Sequence, residues 1–284
     1  MDFRWVFLFF ALLSITAIPS FYFPRQKVQA PGSFDPASVV TLSWKPRIFL
    51  YKGFLSHEEC DHIIKLARSK LKKSMVVDNE SGKSVMSQVR TSSGMFLDKR
   101  QDEVISRIEK RIASWTLLPE ENAESIQVLR YDLTEKYDAH FDYFHDKYNQ
   151  VRGGHRYATL LMYLSDVEMG GETVFPDAEG WESQPKDDTF SDCAKRGLAV
   201  KPVKGDAVLF YSIHPDGTLD PKSLHASCPV IKGEKWSAPK WIHVRSFDTV
   251  EASPLEKPIE VSATSYPESS SATEKCTSES ENCE

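Results

Sequence analysis

The sequence lacks an excess of basic residues and lacks any Cys-x-x-Cys pair. Its 284 residues carry 35 Lys and Arg against 41 Asp and Glu, a formal charge of −6. This balance makes the chain a poor candidate for binding nucleic acid through a broad basic face. Without a Cys-x-x-Cys pair, the five cysteines do not indicate a cysteine zinc site. An apolar share of 40% excludes wholesale disorder.

Long apolar runs are also scarce, and the longest lies at the N-terminus. Residues 5–23 contain no charged side chain, which is close to the shortest stretch that spans a bilayer. Aromatic residues end this run and no Ala-x-Ala cleavage site follows, so we predict a retained signal-anchor over residues 1–23 rather than a cleaved signal peptide. Either segment delivers the chain to the secretory lumen. We therefore expect a single-pass type II protein of the endoplasmic reticulum membrane with a lumenal catalytic domain, the Golgi being the other candidate compartment.

A lumenal placement bears on the cysteines and on one sequon. The lumen permits disulfides, but the sequence does not determine how the cysteines pair. Their positions are Cys60, Cys193, Cys228, Cys276 and Cys283. Asn79-Glu80-Ser81 is an acceptor triplet, so Asn79 is a candidate glycosylation site. The alternative is a chance triplet that stays unmodified.

Composition divides the rest of the chain into three segments. Residues 24–43 contain scattered prolines and little periodicity, which is typical of a linker or stem. Residues 44–248 form a dense globular region. Residues 249–284 contain eight Glu and two Lys, so they carry 2 − 8 = −6 and the remainder is formally neutral. This last segment is dominated by Ser, Thr, Pro and Glu, and we predict a disordered acidic tail.

Helix signals come before strand signals in the globular region. Ser56 and Glu59 form a capping-box pattern followed by apolar residues at helical spacing, and a second helix is indicated between Val104 and Trp115. Short apolar runs separated by Gly, Pro and Asp then predict strands at 126–131, 158–164, 198–203, 207–211, 228–231 and 241–247. No long helical period is interleaved with these runs. The pattern favours an α+β fold in which helices pack on an all-β sandwich or barrel.

His140-Phe141-Asp142 and His225 are the candidate metal ligands. Residues two apart in a strand point the same way, so His140 and Asp142 could be presented to one point. A second histidine would complete the two-histidine, one-carboxylate triad of non-heme Fe(II) oxygenases, which leaves positions open for an oxoacid and dioxygen. His214-Pro215-Asp216 is a rival pair, but its proline and the following Gly217 favour a turn. A chance His-x-Asp on a solvated edge is the alternative interpretation.

Lys235 is the candidate anchor for an anionic cosubstrate. It follows His225 by ten residues, with an apolar run at 228–231 and a Lys-Gly-Glu turn between them. We expect a hairpin that brings Lys235 toward the metal from the adjacent strand, where a buried ammonium would pair with the far carboxylate of a dicarboxylate. The alternative is an ordinary surface lysine in a turn.

From about Trp44 to Phe247 the chain closely resembles the plant prolyl 4-hydroxylases, relatives of the catalytic subunit of collagen prolyl 4-hydroxylase. The matching strings are Val89-Arg-Thr-Ser-Ser-Gly94, His140-Phe-Asp-Tyr-Phe-His-Asp146, Leu161-Met-Tyr-Leu-Ser-Asp166, Gly170-Gly-Glu-Thr-Val-Phe-Pro176, Leu224-His-Ala-Ser-Cys-Pro-Val230, Gly233-Glu-Lys-Trp-Ser237 and Lys240-Trp-Ile-His-Val244. The resemblance implies a double-stranded β-helix (jelly-roll) core supported by the N-terminal helices. It further implies Fe(II), 2-oxoglutarate, dioxygen and L-ascorbate, and trans-4-hydroxylation of peptidyl proline coupled to decarboxylation of 2-oxoglutarate to succinate.

The resemblance also assigns roles to individual residues. His140, Asp142 and His225 would bind iron, and Lys235 would bind the C5 carboxylate of 2-oxoglutarate. A hydroxyl beside that carboxylate would come from Tyr131, Thr159 or Tyr163. The positions that resemble the family's peptide-binding groove are Arg90, Tyr137, Arg156, Trp241 and His243. The alternative interpretation is that Tyr137 and Trp241 are core aromatics and that Arg90 and Arg156 are solvated.

The expected substrates are proline-rich secretory or cell-wall proteins. A polyproline II helix is preformed, and aromatic surfaces recognise it at low entropic cost. The polar segment 75–93 is long enough to close over such a peptide, and a glycan on Asn79 would crowd this lid. In the tail, Cys276 and Cys283 resemble the opening of a six-cysteine toxin-like module that stops after two cysteines.

Three other functions are compatible with parts of the pattern. A lysyl hydroxylase shares the metal chemistry and the lumen. A nucleic-acid demethylase of the same fold would hold the oxoacid with arginine and work outside the lumen, so Lys235 and the anchor argue against it. A non-catalytic β-barrel binding module would require neither iron nor an oxoacid. The sequence does not indicate the oligomeric state.

Overall fold

The computed structural model describes residues 34–78 and 81–248. Four predicted segments or residues lie outside these ranges: the anchor at 1–23, the first half of the stem at 24–33, the sequon residue Asn79, and the acidic tail with Cys276 and Cys283. Within the described ranges, none of the helices has the length and apolar character needed to cross a bilayer.

Both predicted helices are confirmed. Helix α1 spans His57–Ala67 and starts with a capping box, in which Ser56 Oγ accepts from the Glu59 amide and the Glu59 carboxylate accepts from the Ser56 amide. Helix α2 spans Glu103–Thr116 and is capped by the Asp102 carboxylate on the Ile105 amide. A short helix, α3, spans Lys147–Val151. The apolar faces of α1 and α2 contribute to the largest hydrophobic core of the described residues.

The strands form two main antiparallel sheets. The larger sheet has eight strands in the order β1-β2-β13-β9-β16-β7-β6-β3. Their bounds are β1 Val39–Trp44, β2 Arg47–Tyr51, β3 Lys72–Lys73, β6 Ser93–Phe96, β7 Gln127–Tyr131, β9 Arg156–Tyr163, β13 Ala207–Tyr211 and β16 Lys235–His243. The smaller sheet has the order β12-β11-β14-β8. Its strands are β8 Tyr137–His140, β11 Thr173–Phe175, β12 Leu198–Val200 and β14 His225–Ser227. Two further pairs join β4 Val76–Val77 to β5 Ser84–Val85 and β10 Met169–Gly170 to β15 Val230–Lys232.

Side-chain alternation gives the large sheet two different faces. In β9, Leu160 and Met162 pack into the core shared with the helices, whereas Thr159 and Leu161 line a pocket on the opposite face. Phe210 of the large sheet and Phe175 of the small sheet belong to a second core between the two sheets. Helices on one face and a second sheet on the other are consistent with the jelly-roll core implied by the resemblance.

The last strand differs from the prediction at 241–247. Strand β16 begins at Lys235 and ends at His243, and all nine of its residues are buried. Because β16 contains two lysines and Pro239, its sequence is not a continuous apolar run. Strand β7 pairs only with Lys235 to Ser237 of β16, so Pro239 lacks a neighbour on that side and its missing amide proton breaks no ladder there.

Two other expectations are wrong in detail. Val39–Trp44 is strand β1, so the linker predicted at 24–43 overlaps the large sheet at its C-terminal end. The predicted hairpin before Lys235 does not form, because β15 pairs with β10 whereas β16 pairs with β7 and β9. Lys235 therefore reaches its position as the first residue of a central strand of the other sheet.

A disulfide connects the loop after β11 to the segment after β14. Cys193 and Cys228 are bonded with a Cα–Cα distance of 5.8 Å. Cys228 lies three residues after His225, so the crosslink fastens the chain beside a candidate metal ligand. Cys60 is buried and free.

Candidate metal centre and substrate pocket

The small sheet brings the two candidate histidines together. His140 is the last residue of β8 and His225 is the first of β14, and the two are direct partners in the register of these strands. Asp142 lies two residues beyond the end of β8, so it is not on the strand with His140 as expected. Its Oδ1 is 3.8 Å from His140 Nε2 and its Oδ2 is 3.6 Å from His225 Nε2. The possible ligand atoms of the three residues all lie within 4.8 Å of one another.

Both imidazole rings are oriented for metal binding through Nε2. His140 Nδ1 is 2.9 Å from the Asp138 carbonyl oxygen, and His225 Nδ1 is 3.0 Å from the Ser223 carbonyl oxygen. A carbonyl can only accept, so each Nδ1 carries the proton and each Nε2 offers a lone pair. Burial, followed by the neighbouring His225, lowers the pKa of His140 to about 3. The neutral ring is the form that binds a metal.

The rival pair lies in a turn, as predicted. His214 accepts at its backbone carbonyl from the Gly217 amide, and its imidazole is 3.6 Å from Asp220 rather than near Asp142. Asp216 accepts from the backbone amide and the hydroxyl of Thr218. Neither His214 nor Asp216 belongs to the metal-ligating group found among the described residues.

Lys235 is a buried ammonium in the same pocket as the triad. It is 1% exposed, and its Nζ donates to Ser227 Oγ over 2.8 Å. In the described part of the chain, no carboxylate lies within ion-pair distance of it. Burial lowers the pKa of Lys235 to about 7, and the charge of Glu172 opposes this only partly. A buried cation without a counter-ion is poised to receive an anionic ligand.

The three residues proposed to supply a hydroxyl have different contacts in the structure. Tyr131 lines the pocket, and its ring lies 5.2 Å from Lys235 Nζ. Thr159 donates to Asp142 instead, over 2.6 Å. The Tyr163 hydroxyl is directed at Thr173 Oγ1, 2.8 Å away, and Thr173 rather than Tyr163 lines the pocket.

Two pocket hydroxyls were missed from the sequence. Thr173 of β11 and Ser227 of β14 are direct partners in the small sheet, and both line the pocket with Lys235. Ser227 follows His225 by two residues, so strand alternation could have found it. Thr173 had no such signal, because its neighbours in space are far away in sequence.

Tyr137 stacks on one of the candidate ligands, and Arg90 lies over Tyr137. The Tyr137 ring is stacked on His140 with a centroid distance of 3.6 Å, and Arg90 Cζ lies 4.8 Å from the Tyr137 centroid. Arg90 is 6% exposed, and its Nη2 donates to Gln127. It is therefore not the solvated arginine of the alternative interpretation. Arg90, Tyr137 and Trp241 all line the pocket.

Arg156 and His243 share one buried carboxylate that the sequence did not reveal. Glu124 Oε1 accepts from Arg156 Nε over 2.6 Å and lies 2.9 Å from His243 Nε2. Burial would raise the pKa of Glu124, but Arg156 and His243 outweigh it and lower this pKa to about 2. The Arg156 guanidinium also lies over the Trp241 ring at 4.0 Å.

Two buried donors of the pocket have no hydrogen-bond partner within the described chain. They are Arg90 Nε and Trp241 Nε1. Buried donors are rarely left without a partner, so these two mark a place where an acceptor from outside the chain can bind.

Comparison with known proteins agrees with this geometry. The profile of the 2OG-Fe(II) oxygenase superfamily matches residues 126–243. Probable prolyl 4-hydroxylase 7 of Arabidopsis thaliana is 58% identical over 251 residues, which cover 84% of this chain and 79% of the relative. This chain belongs to the prolyl 4-hydroxylase family. Probable prolyl 4-hydroxylase 6 of the same plant is 61% identical over 237 residues, covering 83% of this chain and 79% of that prolyl 4-hydroxylase.

A solved structure supports the fold of this prolyl 4-hydroxylase family member. The viral collagen prolyl hydroxylase of Paramecium bursaria Chlorella virus-1, solved as a 2-oxoglutarate complex, is 29% identical with a TM-score of 0.51 and covers 69% of this chain and 94% of its own. The superfamily uses iron(II), 2-oxoglutarate and dioxygen. The donor set here fits that cofactor, since two imidazoles and one carboxylate are the ligands of non-heme Fe(II) oxygenases, and the unpaired Lys235 fits the dicarboxylate.

Proposed function

We propose that this chain is a peptidyl-proline 4-hydroxylase of proline-rich secretory or cell-wall proteins. The reaction couples trans-4-hydroxylation to oxidative decarboxylation of 2-oxoglutarate to succinate and carbon dioxide, with L-ascorbate as reductant. One observation carries the proposal: the triad and a buried lysine without a counter-ion line one pocket. When bound, iron(II) supplies the redox chemistry by which dioxygen and 2-oxoglutarate oxidise a C–H bond.

The chain's own residues bind and orient the reactants. His140, Asp142 and His225 would hold iron from the small sheet. Lys235 would pair with the distal carboxylate of 2-oxoglutarate from the large sheet. The surrounding hydroxyls would donate to the same carboxylate, since each carries an O–H and lines the pocket. They are Tyr131, Thr173 and Ser227.

A peptide in the polyproline II conformation suits the unpaired donors of the pocket. Its backbone carbonyls make no internal hydrogen bonds and its prolines lack amide protons, so it needs donors rather than acceptors. Arg90 Nε and Trp241 Nε1 are such donors. The aromatic faces of Tyr137 and Trp241 suit a pyrrolidine ring, while Arg156 and His243 are held beside them by Glu124.

The predicted lid contains a short antiparallel strand pair and contacts helix α3. Strands β4 and β5 pair, and the side-chain amide of Asn149 in α3 donates to the Gly82 carbonyl over 2.9 Å. Gly82 has φ +68°, and a Cβ there would lie 2.7 Å from Asp146 Oδ1. The segment 75–93 would open and close over the substrate by breaking and making this contact.

The enzyme would act in the secretory lumen as a type II protein of the endoplasmic reticulum. The uncharged run at 5–23 and the Cys193–Cys228 disulfide support this placement. The domain plan of an anchor at 1–23, a stem, a catalytic domain ending near residue 248 and an acidic tail is part of the same proposal. Protease protection in microsomes tests the topology, and removal of N-glycans tests Asn79.

A hydroxylation assay tests the activity. The full chain is incubated with Fe(II), 2-oxoglutarate, ascorbate and a poly-proline or hydroxyproline-rich-glycoprotein peptide, and the products are sequenced by mass spectrometry. We expect one added oxygen per modified proline. A lysine-containing collagen-like peptide is the matched control, because modification of lysine alone would favour the lysyl hydroxylase. Bound iron with no oxidation of any peptide, and no release of succinate, would favour a non-catalytic binding module.

A further inference from the structure

The three candidate ligands differ in what holds them in place. Each histidine is the end residue of a paired strand, and its Nδ1 is fixed by the carbonyl oxygen of the residue two positions earlier. Asp142 lies beyond the end of β8 and outside the ladder. Its carboxylate therefore needs support from elsewhere in the chain, because a ligand that rotates freely binds a metal less tightly.

That support comes from Thr159, on the opposite sheet. Thr159 is in the middle of β9, where its backbone neighbours are Phe210 of β13 and Trp241 of β16. It is 2% exposed, and its Oγ1 is 2.6 Å from Asp142 Oδ2. A central strand paired on both sides holds this hydroxyl rigidly. The hydrogen bond thus crosses the sandwich from the large sheet to the ligand that the small sheet does not hold.

We propose that Thr159 is a positioning residue of the iron centre, which deepens the proposed function above. Its hydroxyl donates to Asp142 Oδ2 and fixes the rotation of the carboxylate. An ionised carboxylate only accepts, and a threonine hydroxyl has a single proton to give. That proton is used on Asp142, so Thr159 has no donor left for the carboxylate of 2-oxoglutarate. The role expected for Thr159 from the family resemblance passes to Thr173 and Ser227.

The variants are chosen to isolate the hydroxyl from the side-chain volume. Thr159→Val keeps the shape and removes the hydroxyl, and Thr159→Ser keeps the hydroxyl. Thr159→Ala compared with Thr159→Ser gives the same contrast at smaller volume, should the valine variant fold poorly. Thr173→Val is the matched control, because it removes a hydroxyl from the same pocket on the side of Lys235.

The decisive measurement is metal affinity, which does not depend on turnover. Calorimetric titration of the metal-free full chain with Mn(II) gives a dissociation constant for each variant. We expect Thr159→Val and Thr159→Ala to bind about 10- to 100-fold more weakly, the usual effect of removing a group that supports a metal ligand. Thr159→Ser should stay close to the unmodified chain. Thr173→Val should keep its Mn(II) affinity and raise the KM for 2-oxoglutarate.

Two results would overturn the assignment. One is an unchanged Mn(II) affinity in both Thr159→Val and Thr159→Ala. The other is a rise in the KM for 2-oxoglutarate as the only effect of losing the Thr159 hydroxyl, which would return Thr159 to the cosubstrate. If the unmodified chain binds Mn(II) but hydroxylates no peptide, the proposed function fails while the affinity comparison still decides the role of Thr159.

Discussion

Lys235 Nζ donates a hydrogen bond to Ser227 Oγ over 2.8 Å, although the two residues belong to different sheets. Ser227 ends β14 of the small sheet, two residues after His225. Lys235 begins β16 of the large sheet. This hydrogen bond connects the small sheet, which carries the two histidines, to the large sheet, which carries the ammonium. Within the described residues, the ammonium has no carboxylate partner.

Replacing Lys235 should weaken cosubstrate binding without lowering the stability of the free chain. We expect Lys235→Met to raise the KM for 2-oxoglutarate at least about 30-fold, equivalent to ~2 kcal/mol for losing one partner of a buried charge pair. In the absence of 2-oxoglutarate the same variant should melt at the same temperature as the unmodified chain or higher, because it no longer buries an unpaired cation. Initial rates and thermal unfolding measure the two effects. Ser227→Ala is the control, since it removes the hydroxyl but keeps the charge.

The low pKa of Lys235 predicts a pH dependence of opposite sign for binding and for stability. The folded-state pKa of about 7 lies below the ordinary value of 10.5, so the unfolded chain holds more protons between these values. Stability attributable to this residue therefore rises with pH above about 7. Binding of 2-oxoglutarate should weaken over the same range, because the free pocket loses its ammonium. A KM for 2-oxoglutarate that stays about the same from pH 6 to pH 9 would contradict the expected weakening of binding.

Removal of any candidate iron ligand should abolish turnover without unfolding the chain. We expect this of His140→Ala, Asp142→Ala and His225→Ala, because each leaves an incomplete donor set at the end of an intact sheet. His214→Ala is the matched control and should remain active. Circular dichroism confirms folding, and succinate release measures turnover. Activity in His225→Ala together with its loss in His214→Ala would reverse the choice between the two histidines.

Glu124→Gln should weaken peptide binding and leave 2-oxoglutarate binding alone. The variant removes the charge that holds Arg156 and His243, and we expect the KM for the peptide to rise about tenfold, the effect of a lost hydrogen bond to a charged group. Because the pKa of Glu124 is depressed to about 2, its stabilising contribution is present above the ordinary value of 4.5 and is lost as pH falls toward 2. Equal rises in both KM values would mean that the whole pocket has moved.

Breaking the disulfide should destabilise the segment beside His225. We expect Cys193→Ser combined with Cys228→Ser to lower the free energy of unfolding by about 2–5 kcal/mol, as for other native disulfides. A reducing agent should lower the melting temperature of the unmodified chain and leave that of the double variant unchanged. Cys60→Ser is the control for the loss of a thiol, since Cys60 forms no disulfide. Sensitivity of the double variant to reduction would contradict the pairing.

The parts of the fold predicted correctly are those written in local patterns. The capping box at Ser56 and the apolar face from Val104 to Trp115 are read from neighbouring residues. The strand at 207–211 is a continuous apolar run, and the strand at 126–131 is a mostly apolar one. The first six residues of strand β16, 235–240, were not predicted, because their burial comes from the neighbouring strands β7 and β9 rather than from their own composition. Pro239 and the lysines in it are tolerated only because of what surrounds them.

The site divides in the same way. His140, Asp142, His225 and Lys235 have spacings that suggest their chemistry, and the structure places them in one pocket. The residues that support these four side chains have no such spacing in the sequence. The contacts of Thr159 with Asp142 and of Glu124 with His243 join positions far apart in the chain. No local pattern distinguishes such a threonine or glutamate from an ordinary core or surface residue, so only the pairing of the strands reveals them.

The two sheets that line the pocket determine the distance between the groups proposed to bind the cosubstrate. The two candidate histidine ligands belong to the small sheet and Lys235 belongs to the large sheet. Phe175 and Phe210 pack between the sheets with their ring centroids 5.1 Å apart. In the proposed function, the distance between the triad and Lys235 would set the length of the oxoacid that can reach both. The packing between the two sheets would therefore affect which oxoacid binds, because it sets how far apart the sheets lie.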